Sequence, residues 1–346
     1  MPLRYLTPFA FLALLPLGGW AGGAWTFVAA AATPLGLASL DEALGEEGAP
    51  GEAPDGRAPR WLPGIYILLQ LAATGWAAAL VALGRTSLLE TTGLALSAGI
   101  TTGVFGFVAA HEMIHSRDSR TRALGLALLA SVFYMHFRIA HVYGHHRRAA
   151  TFDDPASARL GEGLYAFLVR SAAGQFREAW AFERRRRKRA GLAEIGLGNR
   201  MIGYLAIEAS LLLAAALASV RALAFLVAVA VIAVGLLEIF NYVAHYGLSR
   251  RTGPDGSAER LGPQHSWNSG RRMNNAALFN MGRHSDHHRR PTRPYERLEA
   301  LSGAAELPSG YAAALLTALV PPLWRRVMDP RAEAVASGRL PSRNSP

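Results

Sequence analysis

The sequence predicts an all-α integral membrane protein of about six transmembrane helices, with a cytoplasmic, histidine-rich helical cap holding a di-metal centre. Three observations predict it. Apolar runs fill most of residues 6–111 and 203–244, so that 51% of the 346 residues are hydrophobic. Arginine crowds the stretches between and after them, residues 117–189 and 250–345. All 11 histidines lie between His111 and His288.

Crossing roughly 30 Å of hydrocarbon takes about 20 apolar residues per helix. The run at 6–39 is interrupted by "GGWAGG" and reads as a tight hairpin of two short spans, 6–20 and 21–39. Its charged start is weak and its apolar character continues past any cleavage site, so it reads as a retained membrane segment rather than a signal peptide. The acidic, Pro/Gly-rich "LDEALGEEGAPGEAPDGRAPR" comes next as a loop. Residues 61–83 and 88–110 are the next two spans, and 203–221 and 223–244 form a later out-and-back pair. Residues 122–140 are apolar but contain Tyr134, His136 and Arg138. Histidines stand at both ends of that stretch; if they share one site, it cannot cross the bilayer. The cap is then 111–202 together with 245–346, and the whole chain is one membrane-embedded domain.

Charge gives sidedness. "RRRRKR" at Arg184–Arg189 lies on the face where the histidines collect, which the positive-inside rule makes cytoplasmic. A multi-pass protein of the inner membrane is expected. The net charge of +11 does not point to nucleic acid, because the basic residues flank apolar spans. With no cysteine, the chain itself holds no disulfide, thiolate metal site, iron–sulfur cluster or fused rubredoxin.

Nine histidines fall into four groups: "HEMIH" (His111, His115), "HVYGHH" (His141, His145, His146), "NYVAHYG" (His245) and "RHSDHH" (His284, His287, His288). Residues three or four apart on a helix share a face, so one helix can offer two imidazoles to one ion. Nine exceed what one ion holds; two ions would take four or five each. By ligand type alone iron, copper, nickel or zinc would suit. "HEMIH" also satisfies the H-E-x-x-H pattern of zinc peptidases, with Glu112 as general base. That reading leaves most of the other histidines unused. A metal transporter would place its histidines within the membrane rather than at span ends.

With these groups in hand, the chain resembles the membrane-bound alkane hydroxylases (alkane 1-monooxygenases) of the fatty-acid desaturase and hydroxylase superfamily. The resemblance runs from about Leu40 to Leu298, through "HEMIH", "GHH" with "DDPAS", "EIFNYVAHYGL", "PQHSWNS" and "RHSDHHRRPTRPYERL". It implies a non-haem di-iron centre held by the nine histidines on the cytoplasmic side. It also implies O2- and reductant-dependent hydroxylation of an unactivated, terminal C–H bond of an alkane-like substrate drawn from membrane lipid. A desaturase of the same superfamily is the neighbouring alternative. Electrons would come from a rubredoxin or ferredoxin with its reductase. Glu238, Asn241, Asp154, Glu259, His265 and Asp286 match motif positions outside the ligand set, where they would orient ligand imidazoles. His136 falls outside the motifs. Two departures stand out: where the family usually has Glu, this chain has Ala140 and Ala244.

Overall fold

The computed structural model describes residues 3–47 and 58–339. The middle of the acidic loop, residues 48–57, lies outside the described residues. The first two helices, α1 (Thr7–Ala21) and α2 (Val28–Leu44), form the expected hairpin, turning at Gly22 with φ +72°. They are followed by α3 (Leu62–Ala82) and by α4, which runs without a break over Leu88–Ile114. The cap opens with α5 (Ser119–Ser131), α6 (137–148) and the long α7 (Leu164–Arg189). The pair α8 (Arg200–Ala218) and α9 (Val220–His245) comes next. Short helices α10 (Arg272–Ala277), α11 (His284–Arg289), α12 (Tyr311–Ala318) and α13 (Pro321–Ala336) complete the chain, with a two-stranded parallel ladder pairing Trp267–Asn268 to Ala305–Glu306.

Five helices among the described residues are long and apolar enough to cross a membrane: Gly23–Leu44, Leu62–Ala82, Leu88–Ile114, Arg200–Ala218 and Val220–His245. The sequence reading expects six. The difference is α1, whose 15 residues rise only about 22 Å. Outward-facing Leu213, Leu217 and Val231 on the last pair are 60–80% exposed, as a lipid-facing surface requires. The protein is therefore a multi-pass membrane protein.

α4 is the central span, and small residues let its neighbours close on it. A Cβ added at Gly99 or Gly103 would lie 2.7–2.8 Å from Ile232 or Leu236 of α9. The glycines thus allow a close helix crossing, the packing mode that membrane interiors favour. The stretch 122–140 does not cross. α5 packs back on the end of α4, the chain breaks at Val132–His136 with Phe133 at φ 55°, and α6 begins. α7 lies across both α6 and α9.

Candidate metal centre

α4 and α9 end on the same face, at His115 and His245, because the antiparallel α8–α9 pair returns the chain to where α8 began. Two irregularities then aim the imidazoles. α4 contains a π-helical turn at Thr102–Gly106, and α6 is π-helical over Ala140–His145. Each π turn takes in an extra residue and rotates the next stretch of helix, a device common at functional sites. In α6 it puts His141 and His146, five apart, on one side and turns His145 to the other.

The nine histidines converge in two adjoining groups. His111, His115, His141, His146 and His287 form the first; His145, His245, His284 and His288 form the second. Within each, one ring nitrogen per residue lies within 4.8 Å of all the others. The rings of His146 and His288 face each other across the boundary at 4.8 Å. No carboxylate belongs to either group. His136 stays outside, its ring edge-on to Tyr134 and Phe176.

The contacts fit metal ions better than hydrogen bonds. His146 Nε2 has the Nε2 atoms of His141, His287 and His115 at 3.0, 3.1 and 3.2 Å. His111 and His141 meet at 2.8 Å, His284 and His288 at 3.0 Å, and His245 and His284 at 3.3 Å. A neutral imidazole has one N–H, so one nitrogen cannot bond to three like neighbours. Ligands ~2.1 Å from a shared cation at right angles would stand about 3.0 Å apart. Burial, reinforced by the neighbouring rings, holds His141, His146, His284, His287 and His288 well below the usual imidazole pKa. They are neutral at physiological pH, with lone pairs available to a metal.

Of the six orienting candidates, two reach a histidine of the groups. Asp154 Oδ2 accepts from His145 Nδ1 at 2.8 Å and is itself held by Ser157 Oγ at 2.6 Å. Burial raises the Asp154 carboxyl, but the His145 imidazole, the Ser157 hydroxyl and the nearby His245 together outweigh it and keep the group below its ordinary range. The tautomer that donates to Asp154 leaves His145 Nε2, buried and otherwise unpartnered, as the free lone pair. His265 acts through its backbone: its carbonyl lies 3.3 Å from His245 Nδ1. Asp154→Asn is expected to weaken metal binding 10- to 100-fold, the usual cost of losing such a partner, as read by competition with a chelator.

The other four do different work. Glu259 bonds His265 Nε2 at 3.0 Å, one step removed from the groups. Asp286 takes Arg293 and the Glu299 N–H, each at 3.0 Å, and so ties α11 to the loop after it. Glu238 is buried in α9 and accepts from Tyr134, Ser171 and Gln175 at 2.6–2.8 Å. Asn241 stands 3.4 Å from Glu238 and lines a cavity beside the metal groups. Of the three donors that reach Glu238 from outside α9, only Tyr134 has a sequence signal, as a polar residue in an apolar run. Glu112 accepts the Tyr295 N–H at 3.1 Å, while His111 and His115 join a five-membered group, which is not a one-zinc peptidase arrangement.

Ala140 and Ala244 are fully packed; Ala140 sits against Ala179 and Met201. A carboxylate does reach the second histidine motif from α7: Glu178 pairs with Arg148 and lies over Gly144, where any Cβ would collide with it.

The cavity beside the histidines is apolar. Phe107, Phe137, Leu236, Phe240 and Leu315 line it, and His111, His141 and His284, with Asn241, supply its polar atoms, so it faces both groups at once.

A membrane-embedded helical fold with paired polyhistidine sites defines a class, and comparison supplies it. Residues 86–315 match the fatty acid desaturase family. The chain belongs to that family, in its alkane 1-monooxygenase branch, and is an enzyme of the oxygenase kind. It is 41% identical to alkane 1-monooxygenase 1 of Pseudomonas aeruginosa over 80% of this chain and 74% of that protein. It is 40% identical to the alkane 1-monooxygenase of Acinetobacter baylyi, covering 77% and 65% respectively. The hydroxylase component of xylene/toluene monooxygenase from Pseudomonas putida is 28% identical over 68% of this chain and 63% of that protein.

Proposed function

We propose that the protein hydroxylates an unactivated, terminal C–H bond of an alkane-like substrate, using O2 and two electrons at a non-haem di-iron site. One observation carries this reading: an apolar cavity opens on both imidazole groups, so an alkyl chain has its end beside the metals and, apart from Asn241, meets only apolar side chains elsewhere. The family membership supports it, since relatives named for alkane oxidation span most of the chain. The His111, His115, His141, His146 and His287 set would hold one iron, and His145, His245, His284 and His288 the other. Bound iron supplies the O2-activating redox chemistry that side chains lack.

The chain's own residues do the rest. The aromatic and aliphatic wall excludes water and binds by shape, since an alkane has no polar handle. Asp154 and the His265 carbonyl fix two ring orientations. The metal site lies on the cytoplasmic side of the inner membrane, a placement supported by Arg184–Arg189 at the same end of the bundle as the histidines. α1 completes six membrane segments together with its hairpin partner.

A rubredoxin or ferredoxin with its reductase delivers the electrons. The basic run Arg184–Arg189 is a candidate dock for an acidic carrier, but part of it is taken up by internal contacts. Arg184 pairs with Glu194, Arg186 with Glu183, and Arg187 folds inward onto the Ala193 carbonyl. Arg185, Lys188 and Arg189 remain as the exposed cationic face.

The test is metal analysis of the purified protein with a product scan over hydrocarbons. Expected are two irons per chain and alcohols formed only with O2 and reductant. Alkenes would indicate a desaturase, and a single zinc with no oxygenated product would overturn the reading. Filling the cavity gives a second check. Leu315→Trp is expected to shift the preferred alkane to a shorter chain, seen as a reversed ratio of long to short products.

A further inference from the structure

A second apolar cavity lies beside the one that faces the histidines, and the two share Val104, Leu236, Leu278 and Leu315 as lining. One layer of side chains separates them, and rotamer changes of such groups take only picoseconds to nanoseconds. The second cavity is apolar, with Tyr311 in its wall, apart from one corner where Asp41 of α2 enters beside Asn274. Asp41 is 1% exposed. Its Oδ1 accepts the Asn274 N–H at 2.7 Å, but its Oδ2 is buried without a hydrogen-bond partner. Gly310, at the start of α12, makes room for that oxygen: a Cβ there would collide with it.

A carboxylate oxygen left unpartnered in an apolar cavity is costly, and an ionisable group in a membrane span marks function unless it is paired. The positive end of α12 offsets part of the charge but supplies no hydrogen bond to Oδ2. What the oxygen lacks is a donor, and the cavity that presents it is shaped for an alkyl chain.

We infer that this corner is the seat of a hydroxyl group, so that the enzyme takes primary alcohols whose far methyl end reaches the metals. This rests on the oxygenase reading above. The hydroxyl O–H donates to Asp41 Oδ2 while the chain passes between Val104 and Leu315. The reaction converts HO–(CH2)n–CH3 to the α,ω-diol. One C–H bond breaks and one C–O bond forms. One atom of O2 enters the product; the other leaves as water with two protons and two electrons from a reduced electron-carrier protein.

The test uses the full chain in lipid nanodiscs, with and without bound iron, and measures equilibrium binding of a labelled 1-alkanol and its methyl ether. The ether keeps the oxygen and loses the donor. The wild type is expected to bind the alkanol 10- to 100-fold more tightly, the range for a hydrogen bond to a charged acceptor. Asp41→Asn turns an N–H toward the cavity and is expected to erase or invert that preference. Gly310→Ala, which displaces the carboxylate from the opposite side, is expected to weaken alkanol binding as well. Diol should appear among the products of the iron-loaded wild type. Equal binding of alkanol and ether by the wild type, or an Asp41→Asn variant with the wild-type preference, overturns the hydroxyl seat. Failure of the wild type to oxidise any alkane would instead overturn the oxygenase reading, whatever the binding ratio.

Discussion

Replacing His288 with alanine is expected to lower the metal content from the proposed two ions per chain toward one, whereas His287→Ala keeps both ions at reduced affinity. The asymmetry comes from the grouping. His288 belongs to a set of four imidazoles, so its loss leaves three; His287 belongs to a set of five, so its loss leaves four. Four ligands still meet the usual demand of a first-row ion, while three leave a position open to water. The loss in affinity at the four-membered site should exceed about 100-fold, the upper end of what an outer partner costs. Elemental analysis after dialysis against a weak chelator measures it. Equal depletion in the two variants would show that the nine histidines do not act as two separate sites.

Glu238→Ala is expected to lower the thermal midpoint by roughly 10 °C. The Glu238 carboxylate, 1% exposed, gathers three donors from two places: Tyr134 on the α5–α6 linker, and Ser171 and Gln175 on α7. It therefore pins the cap helix and the linker to a membrane span. Removing it strands several buried donors at about 1–3 kcal/mol each, with a total of about 3–5 kcal/mol after relaxation. Glu238→Gln, which keeps an acceptor, should retain part of the stability. A thermal melt of the detergent-purified variants checks both. An alanine variant as stable as the wild type would show that the network adds nothing to the joint.

Much of this protein is legible in its sequence because its strongest signals are local. An apolar run of about 20 residues can hardly be anything but a span, and Arg184–Arg189 is visible as a string. The histidine motifs are legible for the same reason. Five of the six expected spans reach membrane length; α1 does not, because the hairpin turn falls at Gly22 and leaves a first helix of 15 residues. Glu238 illustrates the other limit. Its place in an apolar span announces a buried role, but its partners lie up to 104 residues away.

Residue order alone was enough for the class of fold, most of the spans and the nine imidazoles that the structure gathers. What it did not contain is their division. His284, His287 and His288 sit within one helical turn and a half, yet they serve different groups; His141 pairs with His146 and not with the nearer-spaced His145. Helical periodicity places residues around one axis only, whereas the groups are defined by where several axes end and by a π turn that rephases one of them. The same holds for Asp41, unremarkable beside Glu42 in the sequence. Only the packing of α2 against α12 leaves its oxygen facing an apolar cavity.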